Sequence, residues 1–403
     1  MHFTSTVIRP PYEARSTYLQ VTSGCSHNKC KYCSYYKNVS FNISSNKEIE
    51  EDIIELKNRG YSFKRIWLQG ANPFLLSAQK LGQIAELIHR YLPFVESIGG
   101  YSRVDDLENK TITDLKKLRQ MKYNSIVLGI ESGDDKLLKY MNKGYKSDEI
   151  IKQVSKLEQA GIKYTLIFLS GLGGHKYGYN HAKKTAQVFN QLKPERIMIN
   201  QLEIKENTTL YEEVQEGIFT PSKPEENNKE IITFLETLTI NTFIDATNNT
   251  NNIPFFGKIQ ENKENIIRHL KEKKGWKTMD AFDMFIIGDT GSIIINFDNK
   301  HFIQRLNKYH LSRRYMVDMI LEDEPIRYDT SGPGQYDVVY RAPQNKEYKE
   351  LRVIMAATDN RIDILTVIPE GRTQRQKNKY ADKNYKELEK KRNKAYAKRK
   401  KLY

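Results

Sequence analysis

Cysteine is nearly absent from this chain. Its 403 residues hold three, Cys25, Cys30 and Cys33, and all fall within the ten residues GCSHNKCKYC. An odd, tightly clustered set does not build a disulfide framework, and it suits a reducing, cytoplasmic setting. Also missing is any run of eighteen apolar residues, so no membrane-spanning helix is expected. The opening stretch MHFTSTVIRPPYEARS has no apolar middle of the kind a secretory signal carries, which again points to the cytosol.

What is present describes a polar, water-compatible chain. Hydrophobic residues make up 38% and charged ones 29%, and the mean hydropathy is −0.68. The net charge of +15 is uneven: residues 371–403 hold fourteen Lys or Arg against three acids, so eleven of the fifteen net positive charges sit there. The remainder is close to balanced. A basic tail is appended to an ordinary body.

Residues 17–204 alternate short apolar runs with amphipathic stretches. The runs are TYLQVTS (17–23), RIWLQG (65–70), SIGGYS (97–102), SIVLGIES (125–132), YTLIFLSG (164–171) and RIMINQLEI (196–204). Between them, 48–60, 80–92, 114–121, 148–161 and 182–192 repeat apolar residues three or four apart, the helical period. Strands alternating with helices at this spacing predict βαβ units and a parallel sheet. Six strands are too few for a closed eightfold barrel, and the expected α/β fold is a partial (β/α)6 barrel of the TIM type. Ligands in such folds collect at the carboxyl ends of the strands, where the cysteine loop falls.

After residue 205 the alternation weakens. Helices are expected at 209–217, 224–238 and 261–274, separated by the Asn-rich stretch 245–254. Residues 1–275 are read as one domain and 276–370 as a small α+β domain. In the latter, strands are expected at 282–288, 292–297, 336–342, 350–358 and 361–368, with one helix over 304–323 and a hairpin turn at Asp359-Asn360. The tail, 371–403, is read as basic and partly helical.

Three thiols on one short loop fit two chemistries. Zinc asks for four ligands, and His27 lies between the cysteines, so a Cys3His site in a nucleic-acid-binding protein is one option. An iron–sulfur cube with three protein thiolates, one iron left for a small molecule, is the other. The position of the loop at the first βα junction favours the second.

The loop, with Tyr32 in its x-aromatic-C ending, resembles the cluster loop of the radical S-adenosylmethionine (SAM) enzymes. The likeness covers roughly 9–274 and includes RPPYEARSTYLQVTSGCSHNKCKYCSYYK, WLQGANPF, LGIESGDDKLLKYMNKG and SGLGG. It is nearest to bacterial members described as resembling oxygen-independent coproporphyrinogen oxidases, some of them treated as haem chaperones. The usual spacing is C-x3-C-x2-C, and here the first gap is four. The resemblance implies a [4Fe-4S] cluster on Cys25, Cys30 and Cys33, with SAM on the fourth iron. It implies reductive cleavage of SAM to a 5′-deoxyadenosyl radical that abstracts hydrogen from substrate, with the protein orienting and shielding the cofactor.

By the same resemblance, Gly70, Ala71 and Asn72 would hold the SAM amino group, and Ser102 and Arg103 the ribose or carboxylate. Glu131 would bind ribose hydroxyls, and the turn with Gly171 and Gly173 would support adenine. His175, His181, Tyr177 and Tyr179 are candidates for facing substrate. A flavodoxin or ferredoxin would supply electrons. No cysteine occurs in 276–370, which excludes a second thiolate-ligated cluster there. His310, Arg313, Arg314 and Arg341 are candidate phosphate contacts. The tail interleaves its cations with Tyr380, Tyr385, Tyr396 and Tyr403, a composition suited to RNA.

Overall fold

Helix starts are written into single residues. Before α1 (Asn46–Asn58), the Ser45 hydroxyl accepts from the Glu48 amide while the Glu48 carboxylate accepts from the Ser45 amide, a reciprocal cap. Thr111 and Asp114 do the same for α3 (Ile112–Gln120). Ser77 caps α2 (Ala78–Tyr91). At the other end of α4 (Ser147–Ala160), Gly161 adopts φ +70° and stops the helix.

The computed structural model describes all residues except 5, 60–63, 273–279, 289, 291–292, 324, 344–347, 359 and 373–403. The basic tail and the Gly275 boundary therefore lie outside the described residues, as does Asp359 of the expected hairpin. The chain divides into two compact units, Met1–Trp276 and Lys277–Tyr403. No described helix is long and apolar enough to cross a membrane.

In the first unit, six strands pair in parallel and in chain order: β1 (Thr17–Gln20), β2 (Arg65–Gln69), β3 (Ser97–Ser102), β4 (Tyr123–Glu131), β5 (Lys163–Ser170) and β6 (Arg196–Gln201). They are the six apolar runs of the sequence, and the helices between them make an α/β sheet of the partial-barrel type. The sheet then continues further than the sequence pattern implied. β7 (Phe243–Asp245) pairs in parallel with β6, and β8 (Phe256–Lys258) pairs antiparallel with β7. Both are three residues long and flank the Asn-rich stretch, so neither leaves a periodic signal. Helices α5 (Gly178–Phe189), α6 (Pro224–Thr237) and α7 (Ile259–Glu272) complete the layer.

Side chains alternate across the strands, and the two faces bury different things. The outer face (Leu19, Leu68, Ile126, Leu166, Phe168, Ile197) joins the helices in one large core. The inner face carries a separate cluster of Trp67, Val127, Ile167 and Met198, against which Tyr12, Tyr18 and Tyr101 pack. Trp67 meets Tyr101 edge to face at 5.2 Å. The segment before β1 is tied to this inner face: Tyr12 donates to Thr165 Oγ1 at 3.1 Å, and Glu13 pairs with Arg65 at 2.7 Å.

The second unit has its own core, built from three helices and the sheet. Its helices are Ala281–Ile287, Lys300–Tyr309 and Arg313–Glu322. Its five strands run in the order Ile294–Asn296, Arg361–Arg372, Tyr348–Ala357, Gln335–Arg341, Arg327–Gly332. Two expectations are corrected. The run 282–288 is a helix, because Asp280 caps the amides of Phe282 and Asp283 and Gly288 closes it at φ +82°; a short apolar run does not by itself separate helix from strand. The helix expected over 304–323 is two, broken where His310 takes φ +52° and Ser312 starts a new cap. The edge strand Arg327–Gly332, of mostly charged and polar residues, was not foreseen. Of the candidate phosphate contacts, Arg313 pairs with Asp298 and Arg314 with Asp318.

Phe234 is fully buried, stacked on Phe168 at 4.3 Å and edge-on to Phe189 at 5.8 Å. Phe234→Ala should lower stability by about 3–5 kcal/mol, read as a fall in the denaturant midpoint; an unchanged midpoint would contradict this packing.

Candidate functional site

The loop that holds the cysteines leaves β1 and is pinched at its base. Thr22–Ser23 pairs antiparallel with Asn42–Ile43, so residues 24–41 form an excursion closed by a two-stranded ribbon. Gly24 opens it at φ +65°, and a Cβ there would stand 2.7 Å from the carbonyl oxygens of Val39 and Ser40. Only glycine fits. The Ala71 amide donates to the Gly24 carbonyl at 3.3 Å.

Asn72, fully buried, braces the loop from below. Its Nδ2 donates to Ser26 Oγ at 2.8 Å and to Asp106 Oδ1 at 2.9 Å, and its Oδ1 accepts from the Ser26 amide at 3.4 Å. Asp106 also accepts from the Arg103 amide at 2.7 Å. The turns after β2 and β3 are thereby locked to the cysteine loop. Asn72, expected to face the SAM amino group, has its amide engaged within the protein.

A second segment reaches over from the far side of β4. The Lys31 amide donates to the Met141 carbonyl at 3.2 Å, His27 Nε2 bonds the Asn142 carbonyl at 2.5 Å, and Cys30 Sγ lies 3.9 Å from the same oxygen. The Leu210 amide donates to the Lys31 carbonyl at 3.0 Å, and the Lys31 ammonium pairs with Glu213 over the Tyr140 ring. Behind the thiols this segment places Lys143. The ammonium is buried, donates to the Gly129 carbonyl at 2.7 Å and to the Tyr32 hydroxyl at 3.4 Å, and lies 3.9 Å from Glu131 Oε1. Arg103 donates to the Lys143 carbonyl at 2.6 Å and to Asp105 at 2.8 Å. Glu131 sits on a bulge with φ +69°, an unusual conformation for a residue with a side chain.

These charges act on the thiols. Burial alone would raise Cys30, but the Lys143 ammonium, a hydrogen bond with His27 and the Arg103 charge outweigh it and bring the thiol down to about 7. Cys33 is pushed up to about 11, chiefly by burial and then by the other two thiols. Burial likewise holds the Glu131 carboxyl above its usual range, with Lys143 opposing. Iron takes thiolates, and a bound cation reverses the local preference for the protonated form.

The donor set fits an iron–sulfur cluster. Three reduced thiols share one loop, one of them already near neutrality, with two buried cations behind. Among the described residues no three of His, Cys, Asp and Glu gather around a point, the cysteines included; His27 of the zinc option has its Nε2 bonded to the Asn142 carbonyl.

Of the residues picked out from the sequence, Cys30, Tyr32, Arg103 and Glu131 converge on Lys143. Gly70, at φ +130°, passes close to Thr22. Ser102 donates to the Arg103 carbonyl at 2.9 Å. Gly171 and Gly173 lie at the end of β5, where a Cβ would meet Asn227 and Tyr177, so their close approach is made by the protein's own side chains. The turn joins the site through Leu172, which shares a cluster with Met141, Leu210 and Tyr32. His175 and His181 are engaged by Glu226 and Glu230 of α6, Tyr177 bonds Asp134, and Tyr179 is exposed. Lys143 and Asp106 were missed. Both lie in quoted or neighbouring stretches, but no spacing signals that 141–145 folds back onto the cysteine loop.

Residues 19–186 match the family model described as the radical SAM superfamily. An uncharacterized protein of Methanocaldococcus jannaschii is 26% identical over 226 residues, covering 53% of this chain and 69% of that protein. The heme chaperone HemW of Bacillus subtilis is 21% identical over 212 residues, and the match spans 50% of this chain and 54% of the relative's length. Among solved structures, coproporphyrinogen III oxidase of Escherichia coli is similar over 55% of this chain and 52% of that one, at 13% identity and a TM-score of 0.41.

Burial pushes the Asp106 carboxyl up to about 6, more than the hydrogen bonds from Arg103 and Asn72 pull it down. The folded protein thus holds this proton more tightly than the unfolded chain does. Asp106 favours folding below pH 4, and that contribution is lost as pH rises through 6, about 3 kcal/mol in all. In cluster-free protein, Asp106→Asn should flatten the pH 4–6 fall in the urea midpoint relative to wild type; parallel curves would contradict the assignment.

Proposed function

Residues 19–186 are a radical SAM domain, and on that premise we propose that Cys25, Cys30 and Cys33 bind three irons of a [4Fe-4S] cluster at the mouth of the partial barrel. The protein is an enzyme of the radical SAM superfamily, and its cofactors are that cluster and SAM. Bound together, they supply a 5′-deoxyadenosyl radical that takes hydrogen from a substrate. The observation that carries the proposal is positional. The only cysteines of the chain share one loop at the carboxyl end of β1, inside the matched segment.

The chain's own residues bind, orient and exclude. Lys143 and Arg103 offset the negative charge of the thiolates from a buried position, where an unpaired charge would be costly. Glu131 and Tyr32 border the same volume and would meet SAM. Gly70, Ala71 and Ser102 line the neighbouring strand ends, and Asn72 serves as a brace. The turn at Gly171 and Gly173 would support the adenine side through its backbone. The aromatic and aliphatic inner cluster closes the barrel beneath, so substrate enters from the cysteine side and water is kept from the reacting atoms.

An electron donor of the flavodoxin or ferredoxin type, a cytoplasmic setting and an RNA contact through residues 371–403 complete the proposal. The last rests on composition, fourteen cations interleaved with tyrosine.

Anaerobically purified protein should be brown and, with dithionite and SAM, release 5′-deoxyadenosine. Cys30→Ala should abolish both, and wild-type protein that releases none would overturn the proposal. Truncation after Glu370 should remove RNA affinity and its dependence on salt; binding unchanged by the truncation would remove RNA from the scheme.

A further inference from the structure

Two carboxylates on α6 hold the turn that follows β5. Glu226 Oε1 lies 2.9 Å from His175 Nδ1 and accepts from the Lys176 amide at 3.3 Å. One helical turn later, Glu230 is 1% exposed and both its oxygens are engaged. Oε1 meets His181 Nδ1 of α5 at 2.6 Å, and Oε2 accepts from the Gly171 amide at 2.8 Å. A buried carboxylate is tolerated only where its oxygens are bonded. Here one of the bonds goes to the backbone of the turn itself. Glycine allows the approach: a Cβ at Gly178 would stand 3.0 Å from Glu230 Cβ and Oε2, and Gly171 takes φ +80°.

The residue carried by this bond is Leu172. The Gly174 amide closes the turn on the Gly171 carbonyl at 3.0 Å. Leu172 is thereby fully buried, in one cluster with Met141 and Leu210 and against Tyr32. Met141 and Leu210 are the residues whose backbones hold Lys31, the first through its carbonyl and the second through its amide. Lys31 and Tyr32 are the two residues between Cys30 and Cys33. Contacts thus run unbroken from the buried acid of α6, through the Gly171 amide and the Leu172 side chain, to both residues between these thiols. Glu230 itself lies outside the matched segment 19–186.

We propose that Glu230 is a positioning residue for the cysteine loop: its bond to the Gly171 amide seats Leu172 against Met141, Leu210 and Tyr32, and so sets where Cys30 and Cys33 stand. The assignment rests on the thiolate site set out under the proposed function. It adds a support for that site, supplied by a helix beyond the shared domain.

Labelling the reduced, cluster-free, full-length protein with a chromogenic disulfide reagent reads the loop without iron, since all its cysteines lie there. Glu230→Ala leaves the buried Gly171 amide without its acceptor and should speed labelling by about tenfold. Glu230→Gln keeps an oxygen for that amide and should label at the wild-type rate. Phe234→Ala, one turn further along α6, separates positioning from stability: it should lower the denaturant midpoint and leave labelling unchanged. In reconstituted protein, Glu230→Ala should weaken SAM binding by about tenfold at unchanged iron content, followed through the electron paramagnetic resonance spectrum. If Glu230→Ala does not fold, Leu172→Ala, which removes the side chain that carries the effect, should speed labelling by the same factor. Labelling or SAM affinity unchanged in these variants would overturn the proposal. So would Glu230→Gln or Phe234→Ala labelling as fast as Glu230→Ala. A chain that takes up no iron would fail the functional proposal, while the labelling rates would still test this one.

Discussion

The structure depends on how one short loop is held. Between Gly24 and Cys33 the chain forms no helix or strand, and apart from one local turn, the Cys33 amide on the Cys30 carbonyl at 3.3 Å, its backbone-to-backbone hydrogen bonds run to three distant places. The Gly24 carbonyl is bonded by the turn after β2, and the Lys31 amide and carbonyl by residues 141 and 210. Buried backbone groups demand partners, and here meeting that demand fixes where three thiols lie. The glycine at position 24 is part of the same constraint, because any side chain would strike the carbonyls that close the loop.

The second consequence of this anchoring is electrostatic. The residues that pin the loop from above, 141–145, also carry Lys143 into the interior, where its ammonium faces Cys30, Glu131, Tyr32 and Tyr145. A buried lysine without opposing charge would tend to lose its proton; beside a thiolate and a carboxylate it keeps it. The bulge that turns Glu131 inward and the segment that delivers Lys143 follow the same strand, so β4 and its loop deliver both halves of the charge pair. Loop position, thiol acidity and cation placement are one arrangement seen from three sides.

Much of this was legible in the sequence, for reasons that can be stated. The six parallel strands show because each is an apolar run between helices with a period of 3.6, and the cysteine loop shows because its spacing is local. Strands β7 and β8 do not, since three residues beside an Asn-rich turn carry no period. The run 282–288 misleads because a capped helix and a buried strand look alike over seven residues of which five are apolar. Lys143 was invisible for another reason: it lies twelve positions past Glu131, and what brings it to the thiols is a fold-back that only tertiary hydrogen bonds specify. Asn72 and the glycines near 171 were picked for their place at strand ends. Place alone did not reveal that Asn72 is committed to Ser26 and Asp106, or that the glycines make room for Asn227 and Tyr177.

The most direct measurement is electron paramagnetic resonance of the reconstituted, reduced protein before and after SAM is added, alongside iron analysis. Three thiolates holding a cube with one corner open predict about four irons per chain and a spectrum that changes when SAM binds. A protein that retains no iron, or whose spectrum is indifferent to SAM, would contradict the central assignment of Cys25, Cys30 and Cys33.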